Sequence, residues 1–132
     1  MRAELVPVAG AQGHVRVRFT GDVSERQWLA RPRTFLGRRP DGDYLEFDPP
    51  ADYLGIEVKR RPYREQELIP IEKDASVESN DVDLTGLYEL PADGHVRVRY
   101  VGYHPLAGPA AGGGPFEPVV SDWIALDSAA VV

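Results

Sequence analysis

An all-β fold, specifically an immunoglobulin-like antiparallel β-sandwich of about seven to nine strands, is what this sequence predicts. Three observations carry that expectation. The heptapeptide Gly13-His14-Val15-Arg16-Val17-Arg18-Phe19 returns as Gly94-His95-Val96-Arg97-Val98-Arg99-Tyr100, and both copies alternate apolar with polar residues. Turn-forming clusters recur roughly every 8 to 12 residues, the spacing of sandwich and barrel strands. No stretch sustains the apolar period of a capped helix.

A strand with one wet face shows its side chains with a period of two. Val15, Val17 and Phe19 therefore point to the core and His14, Arg16 and Arg18 to water, and Val96, Val98 and Tyr100 oppose His95, Arg97 and Arg99 in the same way. The glycine that opens each copy suits the exit from a turn. The other expected strands follow in chain order. Residues 3–8 form a short apolar run ending near Pro7, which a strand tolerates only at an edge or an end. Residues 27–35 carry Trp28 and Phe35 but are broken by Pro32, and residues 43–47 and 53–58 alternate. Residues 67–71 are short and contain Pro70, residues 75–84 alternate weakly, and residues 122–126 form a last strand. A single helical turn fits around residues 84–88, with Asp83 or Thr85 as its cap. Residues 102–118, rich in Gly and Pro, read as a long loop, either flexible or a partner-binding lasso.

The 132 residues make one domain over 1–132, large enough for a single core. There is no cysteine, which removes disulfides, thiol catalysis and thiolate metal sites from consideration. The net charge is −6, and an acidic chain is a poor nucleic-acid binder. No apolar run is long enough for a membrane-spanning helix, so neither nucleic acid nor membrane is an expected partner. The N-terminus lacks the apolar centre of a signal peptide, so a cytoplasmic protein or the mature form of an exported one is expected.

No catalytic constellation is visible. His14, His95 and His104 do not have metal-ligand spacing, although adjacent strands would bring the first two together. No serine occupies a G-x-S-x-G elbow, and the segment Gly112-Gly113-Gly114-Pro115 lacks the lysine and the helix start of a phosphate loop. The chain is therefore expected to be no enzyme and to need no cofactor. Paired carboxylates of a sandwich hydrolase stay open as an alternative, because acids are abundant. The sharpest charged feature is Lys59-Arg60-Arg61-Pro62-Tyr63-Arg64, which reads either as a solvated strand end or as a grip on a carboxylate-bearing partner. The outward arginines of the repeat would either reinforce it or pair with acids between residues 78 and 83 across a sheet.

A longer pattern runs from Tyr53 and Gly55 through Lys59 and Arg60 to Asp83-Leu84-Thr85, Tyr88, Gly94, Val96, Val98 and Tyr100. It resembles the non-catalytic N-terminal β-sandwich domain that precedes the zinc domain of deuterolysin-like and peptidyl-Lys metallopeptidases. The likeness covers about residues 3–103 and rests on structural motifs. The chain departs from the pattern in three ways: it lacks the H-E-x-x-H helix and the cysteines of fungal relatives, and it has no glycine around Lys73-Asp74. The resemblance implies a sandwich that packs against a protein partner, a peptidase being the implied one, and it implies no proteolysis. It also suggests that Tyr88 turns a corner, with its ring buried and its hydroxyl hydrogen-bonded to backbone, so that Tyr88→Phe would cost about 1 kcal/mol.

Together these readings make the chain a non-enzymatic protein-binding module, peptidase-associated or peptidase-inhibitory, that is monomeric or a weak dimer, with a self-associating structural domain as a further alternative. The expected contacts are Lys59, Arg60, Arg61, Tyr63 and Arg64 in the basic turn, and Tyr103, His104 and Phe116 in the long loop.

Overall fold

The two valine–arginine strands organise the molecule. In the computed structural model, which describes residues 1–10, 13–30, 44–54, 68–79, 81–91, 95–106 and 117–126, each copy is the central strand of its own sheet. The first, β2 (His14–Thr20), pairs along one side with β1 (Arg2–Pro7) and along the other with β7 (Ser76–Glu78) and β8 (Val82–Asp83). The second, β10 (Val96–His104), pairs along one side with β4 (Tyr44–Asp48) and along the other with β11 (Glu117–Val120) and β12 (Ile124–Leu126). Two small ladders complete the described fold: β3 (Gln27–Ala30) with β6 (Leu68–Ile71), and β5 (Asp52–Tyr53) with β9 (Tyr88–Glu89). Every strand pair is antiparallel, and the fold is an all-β, sandwich-like one.

The alternation resolves as expected. Val15, Val17, Phe19, Val96, Val98 and Tyr100 are all buried in one core, while Arg16, Arg18, Arg97 and Arg99 face outward. The aromatic residues that end the two heptapeptides meet there. The rings of Phe19 and Tyr100 stand edge to face with centroids 5.2 Å apart, and Phe19 also meets the His104 ring at 5.4 Å. Such T-shaped contacts set the positive edge of one ring against the negative face of the other.

The same repair device occurs in both sheets. The strand beside β2 is interrupted between β7 and β8, where the buried Ser79 donates its backbone N–H to the Val17 carbonyl at 2.9 Å. Its hydroxyl accepts from the Val17 N–H at 2.9 Å, standing in for the missing carbonyl. Between β11 and β12, Ser121 does the same for Tyr100, donating its N–H to the carbonyl at 3.0 Å and accepting from the N–H at 2.8 Å. A buried N–H left without an acceptor is costly, so a serine at each break keeps the ladder satisfied.

Between β8 and β9 lies the short helix α1 (Leu84–Leu87), capped by Asp83, whose carboxylate accepts from the Gly86 N–H at 3.1 Å and the Thr85 hydroxyl at 2.8 Å. Gly21, which follows β2, is indispensable for a steric reason: a Cβ there would lie 2.2 Å from the Glu72 carbonyl oxygen. Asp74 takes φ 67°, the left-handed conformation that a glycine would adopt most easily.

Several expectations need correction. There are twelve short strands among the described residues rather than seven to nine, because bends and serine breaks divide longer extended segments. The stretch 75–84 is two strands, and Leu84 already belongs to the helix. The loop 102–118 is shorter: Gly102, Tyr103 and His104 continue β10 and pair with Val119, Pro118 and Glu117. Of what remains, residues 107–116 lie outside the described residues. Finally, the Tyr88 ring is buried against Phe47 and Tyr53, with centroids 4.6 Å and 5.5 Å away, but its buried hydroxyl has no hydrogen-bond partner among the described residues. The corner is held by packing instead. Burial first, and the neighbouring Tyr53 second, push the Tyr88 phenol pKa up.

Candidate functional site

The two sheets share their inner faces, so any difference in what they can bind lies on the outer ones. On the first sheet, acids stand beside each outward residue of β2, on both flanks at Arg18 and on one flank at Arg16 and His14. Arg18 reaches Glu4 on β1 at 3.6 Å and Glu78 on β7 at 3.7 Å, Arg16 pairs with Asp81, and His14 lies 3.8 Å from Asp83. These contacts are largely exposed and modest in energy, but they make the face a closed ionic lattice.

The second sheet differs. On β10 the outward residues in order are Arg97, Arg99, Val101 and Tyr103, and opposite them on β4 stand Asp48, Glu46 and Tyr44. Arg97 pairs with Asp48, and Arg99 donates to Glu46 at 2.8 Å. Both guanidiniums also lie over the half-buried Trp123 ring, at 5.1 Å and 4.5 Å from its centroid. One row further along, charge gives way to apolar surface. Val101 registers with Tyr44 on one side and with Val120 on the other, and Val120 is 46% exposed. Val101 itself is buried, yet it stands apart from the core cluster, on the opposite side of the sheet. Tyr103 continues this face opposite Pro118.

The local electrostatics agree with this grouping. Burial, then Glu46 and Tyr103, push the Tyr44 phenol upward, and Arg99 partly offsets them. The face therefore sets Tyr44, Tyr103, Trp123, Arg97 and Arg99 side by side. Tyr, Trp and Arg are the residue types that dominate binding energy at protein interfaces, because they offer large contact area with a polar end at little entropic cost.

Of the residues expected to make contacts, Tyr103 belongs to this face. His104 does not: it is fully buried, and its Nε2 lies 2.7 Å from the Tyr100 hydroxyl, so it presents no surface to a partner. Lys59, Arg60, Arg61, Tyr63, Arg64 and Phe116 lie outside the described residues. His14 and His95 are not brought together, because one belongs to β2 and the other precedes β10 in the opposite sheet. Among the described residues, no group of three or more His, Asp or Glu residues is arranged to hold a metal ion.

Among the described residues, the two carboxylates with a resolved shift are both lowered. Asp22 is lowered chiefly by the Met1 ammonium, and Asp83 by the Thr85 hydroxyl and then by the Gly86 N–H. Tyr44, Trp123 and Val120 escaped sequence reasoning because their proximity depends on strand register. One signal was present: Val101 and Tyr103 break the polar side of the alternation that Arg97 and Arg99 begin. Compared with known proteins, this sequence matches no protein-family model and no curated protein.

Proposed function

We propose that this chain is a non-catalytic protein-binding module that engages its partner through the outer face of the second sheet. The observation that carries this reading is the contrast between the two outer faces. The first is a lattice of neutralised charges, and the second joins Arg97 and Arg99, stacked on Trp123, to apolar surface at Tyr44 and the exposed Val120, which flank the buried Val101. Each of these arginines is held by a carboxylate and a ring, so part of the entropic cost of fixing it on binding is already met. The resemblance to a partner-packing domain of metallopeptidases supports the same role and makes a peptidase the first partner to test.

The test is affinity capture on immobilised chain from an extract of its native source, with proteins identified by mass spectrometry. Trp123→Ala and Tyr103→Ala should each lose the captured protein, while Arg18→Ala on the opposite face retains it. Equal capture by all three variants would remove the reading.

A further inference from the structure

We infer that the outer face of the second sheet pairs with a second copy of this chain, an inference that rests on the binding-face reading above and names the occupant. The charges on this face run in stripes. Along β4 the outward Glu46 and Asp48 are anionic, and along the adjacent β10 the outward Arg97 and Arg99 are cationic. With two charges of each sign the four residues are neutral together, so they favour neither a strongly acidic nor a strongly basic partner. What fits a negative stripe lying beside a positive one is a surface with the same two stripes in reverse order.

A second copy supplies that surface. A two-fold axis lying in the interface, parallel to the strands and between β4 and β10, places the anionic stripe of each copy over the cationic stripe of the other. An axis running across the strands would instead stack arginine on arginine, so the orientation follows from the charge order. The Arg97 and Asp48 side chains are 55% and 52% exposed, and their mutual contact leaves further donors on the guanidinium and acceptors on the carboxylate. On the first sheet the most enclosed arginine, Arg18, already meets an acid on each flank, Glu4 and Glu78. A net charge of −6 per chain repels at long range, which limits the pair to a weak, reversible dimer.

Sedimentation equilibrium on the full chain, over a concentration series, tests this with Arg97→Asp, Asp48→Arg and their equimolar mixture. The parent chain should show reversible monomer–dimer exchange. Each single reversal should weaken self-association at least about tenfold, because like charges then face each other twice. Mixing the two variants should restore a dimer, since every facing pair is again of opposite sign, and that restoration also shows that both variants are folded.

A dimer that neither reversal weakens, or a mixture that fails to recover one, would overturn the inference, since the contact would then use another surface or another axis. A parent chain that stays monomeric overturns it as well. In that case the capture experiment separates the two readings: capture still lost in Trp123→Ala leaves the binding face standing with a different protein as occupant, and unchanged capture removes both.

Discussion

Strands β2 and β10 carry nearly the same heptapeptide, and inside the molecule they do the same work. Outside it their arginines keep different company. Arg18 is hemmed in by Glu4 and Glu78 from both neighbouring strands, and Arg16 pairs with Asp81. Among the described residues, Arg97 and Arg99 meet acids on the β4 flank, and Trp123 covers them from the other. The lesson is that an alternating strand decides which of its faces is wet, while the strands paired beside it decide what that wet face can bind. β10 also runs further than its twin. Where β2 ends at Thr20, β10 continues through Val101 and Tyr103 and so extends an ionic face into an apolar one.

The strongest way to break this comparison is at the point where the twins meet. Phe19→Ala and Tyr100→Ala should each cost about 3–5 kcal/mol in a urea melt, the range for truncating a buried aromatic residue. If the two strands share one core, the double variant should cost less than the sum, because both substitutions empty the same contact. Strict additivity would place the rings in separate environments.

The serine repairs come next. Ser79→Ala strands the Val17 N–H, and Ser121→Ala strands the Tyr100 N–H, so each should cost about 1–3 kcal/mol, the penalty of an unsatisfied buried donor. Near-equal losses would show that the two breaks are the same device. A neutral Ser121→Ala beside a costly Ser79→Ala would show that they are not.

On the outer faces the twins should diverge. Trp123→Ala removes two cation–π contacts and should cost about 1–2 kcal/mol. Arg18→Ala, on the exposed lattice, should cost less than about 1 kcal/mol, and that loss should shrink as salt is added. Thermal melts at low and high ionic strength measure both.

Asp83 offers a pH-dependent test at the edge of the first sheet. Its carboxyl pKa is lowered in the folded chain, first by the Thr85 hydroxyl and then by the Gly86 N–H. Its contribution is therefore present above the ordinary carboxyl pKa and fades as the pH falls through the folded value. Asp83→Ala should cost about 1 kcal/mol at neutral pH, as loss of a helix cap does. The gap from the parent chain should narrow below about pH 4.

The smallest effect is expected at the corner. Because the buried Tyr88 hydroxyl has no partner among the described residues, Tyr88→Phe should leave stability within about 0.5 kcal/mol of the parent, or raise it. A loss of 1 kcal/mol or more would reinstate a hydrogen bond at that hydroxyl.

Much of the fold was legible in advance, and the reason is local. The valines and arginines of the repeat state which side of each strand is buried, Pro7 marks a strand end, and Asp83 announces a capped turn. Less was legible where a residue's role depends on its cross-strand partner. Ser79 and Ser121 look like ordinary polar positions until a broken ladder needs a hydroxyl. Gly102 and Pro118 look like loop residues until they are found opposite Val119 and Tyr103. The candidate face was the least readable part, since Tyr44, Val101, Val120 and Trp123 are far apart in the chain and only pairing in register brings them together. His104 misled for the same reason. Nothing in its neighbours in sequence says that Phe19 and Tyr100 close over it.

By itself, the order of amino acids determined the β character of this chain and the inside and outside of its two central strands, because side-chain alternation is a property of an extended backbone wherever it lies. Only the tertiary structure decided that those strands sit in opposite sheets, that a serine mends each ladder, and that one outer face closes into ion pairs while the other gathers aromatic rings around its arginines. Those outcomes depend on which distant segment supplies the next hydrogen-bonded neighbour, and a period of two carries no information about that choice.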